Sequence, residues 1–141
     1  MSQSHKELIH TLNQAARQLA KSFNEQFVSS GLFIAQWTVL RYLQNHGPST
    51  QIQMCNYLKV EAPSLTRTLN RMEKQGLIIR KEGIDRRAKE IHLTPLALEK
   101  IPEWKEQVDD FENPIFDTLT AEEMETTIKV LTKIVSALQK Q

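Results

Sequence analysis

PSLTRTLNRMEKQGLIIRKEGIDRRAKEIHLT, residues 63–94, holds the pattern that decides the fold. Leu65, Leu69 and Met72 recur at helical steps, so they form one apolar stripe. Ser64, Thr66, Arg67, Asn70 and Arg71 are left on the other face. Pro63 suits the first position of such a helix, because the N–H it lacks is unpaired there anyway. Gly76 ends the helix. Leu77–Arg80 and Glu90–Leu93 are short β-prone runs, and the charged loop between them, 81–89, contains Gly83 and Asp85. Two short strands around such a loop predict a β-hairpin.

Upstream, Thr50 and Gln53 have capping-box spacing, and a short helix is expected from there to about Leu58. A tight turn then joins it to the helix that Pro63 opens. Two short helices, a tight turn and a hairpin give the order of a winged helix-turn-helix. Ile34, Trp37, Leu40 and Leu43 mark a helix before them, closed near Gly47 and Pro48. Leu8, Leu12, Ala16, Leu19, Phe23 and Phe27 predict a long amphipathic helix over about 4–28.

Downstream, Thr94-Pro95 starts a helix with Leu98, Ile101, Trp104, Val108 and Phe111 inward. Pro102 inside that pattern predicts a kink, and Asn113-Pro114 is expected to punctuate the segment. Thr120 with Glu123 is a second capping box. Met124, Ile128, Leu131, Val135 and Leu138 follow at steps of four, three, four and three, like the seam of a coiled coil. The fold class is therefore mainly α with a small β-hairpin wing: a winged helix-turn-helix core flanked by N- and C-terminal dimerisation helices. The 141 residues are expected to form a single unit. Within it, 33–93 is the DNA-binding lobe, and 1–30 and 94–141 are the dimerisation helices. Leu8, Leu12, Ile128, Leu131, Val135 and Leu138 are assigned to the dimer interface.

Charge supports a division of labour. The formal net charge is only +1, yet residues 1–58 carry +2, residues 59–92 carry +4 and residues 93–141 carry −5. A basic middle suits an anionic partner. On the exposed face of the fourth helix, Arg can read guanine and Asn adenine in the major groove, while Ser and Thr serve bases or phosphates. An arginine from Asp85-Arg86-Arg87 can enter the minor groove from a short stiff loop. Asp85 makes sense there as a wing-stabilising partner of Arg71. The DNA-binding set is Pro63, Ser64, Thr66, Arg67, Asn70, Arg71, Arg86 and Arg87.

Other chemistry finds little support. No Gly-rich phosphate loop or nucleophile motif is present, so no enzyme and no cofactor are expected. His5, His10, His46 and His92 do not pair at helical spacing, so no metal site is expected. The chain has one cysteine, Cys55, which excludes an internal disulfide. No apolar run is long enough to span a membrane, and the N-terminus lacks the apolar core of a signal peptide. A cytoplasmic protein is expected.

The segment from Thr50 to Thr94 resembles the MarR family of bacterial regulators. The matching residues are Thr50, Met54-Cys55, Leu58, Ser64-Leu65-Thr66-Arg67, Leu69, Arg71-Met72-Glu73, Gly76-Leu77-Ile78 and Arg80, with Asp85-Arg86-Arg87 and Leu93-Thr94. The flanking helices extend the likeness over nearly the whole chain. The resemblance implies a homodimer whose terminal helices interlock and which straddles a palindromic operator on double-stranded DNA. It implies Arg87 in the minor groove, Asp85 paired with Arg71, and Ser64, Thr66 and Arg67 at the major groove. It also implies a repressor released by a small aromatic effector. His10, Phe23, Phe27, Phe33 and Trp37 are the candidate pocket residues, since aromatic walls with a few polar groups suit small ligands. Two alternatives stay open: a winged-helix protein–protein interaction module, and a redox-sensing regulator built on Cys55, a residue type that is otherwise a small hydrophobe.

Overall fold

A computed structural model describes residues 2–84 and 87–140. The chain divides into two compact units, Met1–Pro102 and Glu103–Gln141. Helix α1 spans Ser2–Phe27 and closes in a 3-10 turn, Val28–Ser30. Gly31 follows at φ +70, a left-handed conformation that L side chains resist. Its stripe is split: Phe23 and Phe27 are buried with ring centroids 4.6 Å apart, whereas Leu8 and Leu12 are exposed.

Helix α2 (Ile34–His46) buries Trp37, Val39, Leu40, Tyr42 and Leu43. Its first turn is fixed by side chains: Ile34 N–H donates to Asn24 Oδ1 (2.8 Å) and Phe33 N–H to Gln36 Oε1 (3.1 Å). Helix α3 (Gln51–Leu58) starts with the expected box, in which Gln53 N–H donates to Thr50 Oγ1 and Thr50 N–H to Gln53 Oε1. Helix α4 (Ala62–Lys74) buries Leu65, Leu69 and Met72. Pro63 is its second residue rather than its first. The second N–H of a helix also lacks an internal acceptor, so proline is tolerated there too.

The hairpin strands are β2 (Ile78–Glu82) and β3 (Lys89–Leu93), paired antiparallel from Ile78↔Leu93 to Glu82↔Lys89. They run further toward the tip than the apolar runs alone predict. Reading two strands here misses a third. Strand β1 (Ser49–Thr50) pairs with β3 on its other edge, giving the order β1-β3-β2. Two residues are too few to show an alternating pattern. Ser49 is nonetheless buried, and its hydroxyl donates to the Gly47 carbonyl at 3.0 Å.

Helix α5 (Pro95–Phe116) begins at Thr94, whose hydroxyl accepts from Ala97 N–H at 3.2 Å. It passes through both Pro102 and Pro114, so Asn113-Pro114 does not end it. Each proline removes one hydrogen bond of the ladder, and beyond Pro114 the helix closes with Asp117 N–H on the Asn113 carbonyl at 2.8 Å. Helix α6 (Ala121–Gln139) opens on the Thr120–Glu123 box and buries none of its residues. Among the described residues, no helix is long and apolar enough to cross a membrane.

Candidate nucleic-acid interface

One hydroxyl on α4 ties the start of α3 to it. Thr66 Oγ1 donates to the Ala62 carbonyl (2.8 Å) and accepts from Gln51 Nε2 (2.6 Å). Gln51 Nε2 also reaches the Ala62 carbonyl at 3.3 Å. Thr66, read from sequence as a groove contact, is therefore half-buried and engaged inside the motif. Gln51, which sequence reasoning passed over, is its partner. A polar residue at the start of α3 and a threonine on α4 was the available signal.

The turn between these helices contains the one described non-glycine residue with positive φ, Lys59 (φ 58, ψ 43). That conformation costs an L-residue roughly 1–2 kcal/mol. Lys59 N–H donates to the Cys55 carbonyl at 2.9 Å and so closes α3.

Pro63, Ser64, Arg67, Asn70 and Arg71 are all exposed on α4. The Arg71 guanidinium lies over the Phe33 ring at 5.2 Å, a cation–π arrangement. Ser64, Arg67, Thr68 and Arg71 share a depression of about 240 Å³ with Phe33, Ala35 and Gln36 of the α2 side. Behind it, Gln36 Nε2 donates to Gln75 Oε1 (3.1 Å), and Gln75 Nε2 donates to the Gly31 carbonyl (3.2 Å). The C-terminal end of α4 is thereby held to the loop before α2.

Strand β2 is also tied to α4. Arg80 Nη1 pairs with Glu73 Oε1 at 2.9 Å, and Arg80 Nη2 donates to Asn70 Oδ1 at 3.1 Å. Sequence reasoning gave the task of anchoring the wing to Asp85 with Arg71. Asp85 and Arg86 lie outside the described residues. At the base of the wing, Arg80 with Glu73 and Asn70 ties β2 to α4. Their opposite charges flank the end of α4, a signal that went unread. At the wing tip, Ile84 and Arg87 are exposed. Beside the tip, a Cβ on Gly83 would lie 2.8 Å from Glu90 Cγ, so glycine lets the two strands close there.

The five candidate pocket residues are distributed. Phe23, Phe27 and Trp37 are buried. Phe33 is half-buried in the depression beside Arg71. His10 is exposed on α1, in a polar depression with Gln14, Arg17, Gln18 and Lys21. Cys55 is a half-buried free thiol. Among the described residues no three His, Cys, Asp or Glu side chains converge as metal ligands.

A helix-turn-helix with an exposed basic second helix and a three-stranded wing defines the winged-helix class of DNA-binding proteins. Comparison with known proteins narrows the class. Residues 30–88 match the MarR family model. The HTH-type transcriptional regulator YwoH of Bacillus subtilis is 41% identical over 125 residues, 89% of this chain and 91% of the relative. The fold is shared with the transcriptional regulator BldR of Sulfolobus solfataricus at TM-score 0.85 and 21% identity, covering 95% of this chain and 96% of that one. A mutant MarR from E. coli, solved in complex with operator DNA, is 26% identical at TM-score 0.77, covering 92% and 91% of the two chains. This chain belongs to the MarR family and is a DNA-binding transcriptional regulator.

Proposed function

We propose that this regulator is a homodimeric, cytoplasmic repressor that binds a palindromic operator and is released by a small aromatic ligand. The observation that carries the DNA reading is the partition of α4. Leu65, Leu69 and Met72 are buried, while Ser64, Arg67, Asn70 and Arg71 are exposed. A helix so divided offers a base-reading face to the major groove. Arg87 approaches the minor groove from the wing tip, where the potential is most negative. Arg80 aids both by holding the wing against α4 and by fixing one side of the Asn70 amide. Thr66 contributes chiefly by tying α3 to α4.

The homodimer reading rests on Leu8, Leu12, Ile128, Leu131, Val135 and Leu138, all exposed within the single chain. A two-fold partner would cover such side chains and present two copies of α4 about 34 Å apart, one turn of DNA. The mutant MarR bound to operator DNA supports the same mode of binding. The aromatic effector is the reading of Phe33 and its neighbours beside Arg67 and Arg71, where an occupant would compete with DNA for the two guanidinium groups.

Binding of the purified protein to duplexes from the DNA flanking its coding region, measured across salt concentrations, tests the proposal. Selective binding with a steep salt dependence is expected. Arg87→Ala removes one phosphate-type contact, worth about 0.9 in the slope of log Kobs against log salt, from each of the two subunits, so it should weaken binding and lower that slope by about 1.8. Unchanged affinity and slope in Arg87→Ala would remove the wing from the interface.

A further inference from the structure

A polar side chain lies inside the apolar lobe. Gln36, in the first turn of α2, is 2% exposed, less than the other buried polar residues described, Ser49 and Thr94. An amide is costly to bury unless its polar atoms find partners. Both ends of Gln36 have one. Its Oε1 accepts from Phe33 N–H, and its Nε2 donates to Gln75 Oε1, 39 positions further along the chain, each at 3.1 Å. Gln75 Nε2 in turn donates to the Gly31 carbonyl at 3.2 Å. Among the described residues no buried side-chain nitrogen or oxygen is left without a partner.

This relay runs in one direction. It starts at a backbone N–H, which can only donate, and ends at a backbone carbonyl, which can only accept, so both amides have a single orientation. It joins three helix ends. Gly31 follows the turn that closes α1, Phe33 caps α2, and Gln75 caps the C-terminal end of α4. Arg71, one turn earlier on α4, lies over the Phe33 ring. The inner face of α4 is held otherwise by Leu65, Leu69 and Met72. Apolar burial is non-directional, whereas hydrogen bonds weaken steeply away from linearity. The relay is therefore suited to fix the tilt of α4. The 13 residues of α4 make it about 20 Å long, so a tilt of about 10° at its last turn moves its first turn by about 3 Å. That displacement is as large as a whole hydrogen bond to a base edge, about 2.9 Å.

We infer that Gln36 and Gln75 are positioning residues for operator selection. The relay sets the tilt of α4, and the tilt decides which bases Ser64, Arg67 and Asn70 reach. The inference rests on the operator reading above. Neither glutamine carries a charge, so the relay acts on sequence selection and leaves the general attraction for phosphate to the arginines.

Wild type first selects its preferred duplex from a randomised pool. Affinities for that duplex and for a mixed-sequence duplex are then measured across salt concentrations, with melting temperatures beside them. The variants are Gln75→Met, Gln36→Glu, and Gln36→Glu combined with Gln75→Lys. Gln75→Met keeps the side-chain length at an exposed position and breaks both of its bonds, so it stands if the buried Gln36→Glu folds poorly. Gln36→Glu still accepts from Phe33 N–H but has nothing to donate to Gln75. In the combined variant the introduced ammonium can donate to both the introduced carboxylate and the Gly31 carbonyl, which rebuilds the relay at unchanged net charge. Each single variant should lower the ratio of selected to mixed affinity by about tenfold per half-site, the worth of one base contact, and so by about a hundredfold on a two-half-site operator. Gln75→Met should leave the salt slope as in wild type, because no cation is lost. The combined variant should recover most of the ratio. A purely structural role would lower both affinities in step with melting temperature. An unchanged ratio in Gln75→Met therefore overturns the inference and leaves the operator reading standing. A wild type that enriches no sequence overturns both.

Discussion

Helix α4 carries Leu65, Leu69 and Met72 at steps of four and three, and all are buried. Helix α6 carries Met124, Ile128, Leu131, Val135 and Leu138 at the same steps, and none is buried. Periodicity says that a stripe needs cover; it does not say whose atoms supply it. For α4 the chain supplies them itself, and the opposite face is then fixed as a rigid, basic surface. For α6 the stripe remains exposed within the chain, which is the property expected of a surface shared between two copies.

Five variants sharpen or break that contrast. The largest effect belongs to Leu69→Ala, which empties a fully buried site and should destabilise the protein by about 2–5 kcal/mol in urea unfolding. A loss well below that range would mean that α4 is less firmly packed than its burial indicates. Next comes the pair Ile128→Glu with Leu131→Glu. It should split the proposed dimer in sedimentation while leaving the folded lobe intact. With the second half-site no longer tethered, operator affinity should fall by about a hundredfold or more. A variant that sediments as wild type would locate the interface elsewhere.

A smaller effect follows from the cap of α6. Thr120→Ala should cost about 1 kcal/mol, the usual worth of an N-cap side chain. Hydrogen bonds from the Thr120 backbone and side chain hold the Glu123 carboxyl below its ordinary range. A carboxylate so depressed stabilises the fold above its unfolded value, about 4.3, and that contribution is lost as pH falls through the lowered one. The gap between wild type and Glu123→Ala, which removes the carboxylate itself, should therefore narrow in acid, read from melting temperatures across pH. The smallest effect is a gain. Lys59→Gly relieves left-handed strain of roughly 1–2 kcal/mol against an entropic cost for glycine of about 0.5–1 kcal/mol. A net stabilisation of about 0.5 kcal/mol is expected in the same unfolding assay, and a loss would show that the lysine stem packs usefully.

Local chemistry was legible in the sequence, and chemistry that depends on two distant segments was not. Both capping boxes formed as their spacing required, because the partners are three residues apart and share one turn. The helices and the wing followed from period and from glycine. Strand β1 was invisible, since two residues carry no period and their pairing partner is some forty positions away. The hydrogen bond from Gln51 to the Thr66 hydroxyl could not be read from the pattern of α4, because Gln51 lies on another helix fifteen residues away. Arg80 with Glu73 and the Tyr42–His46–Tyr57 stack likewise arise from how elements cross. Pro114 misled in the other direction, as one missing N–H does not outweigh the surrounding ladder of α5.

Thr94 joins three pieces of the molecule at one point. Its hydroxyl donates to the Gly76 carbonyl at the end of α4, its N–H donates to the Leu77 carbonyl at the entry to β2, and the same hydroxyl caps α5 at Ala97. It is nearly buried, so water does not readily replace these bonds. In mechanical terms Thr94 is a rivet through the base of a lever. A torque on the first turn of α5 has a path to the foot of α4 through that side chain, in addition to the core in which Ala97 and Ile101 are buried. Loosening that rivet, as in Thr94→Val, would let the two helices turn more independently while each stayed folded.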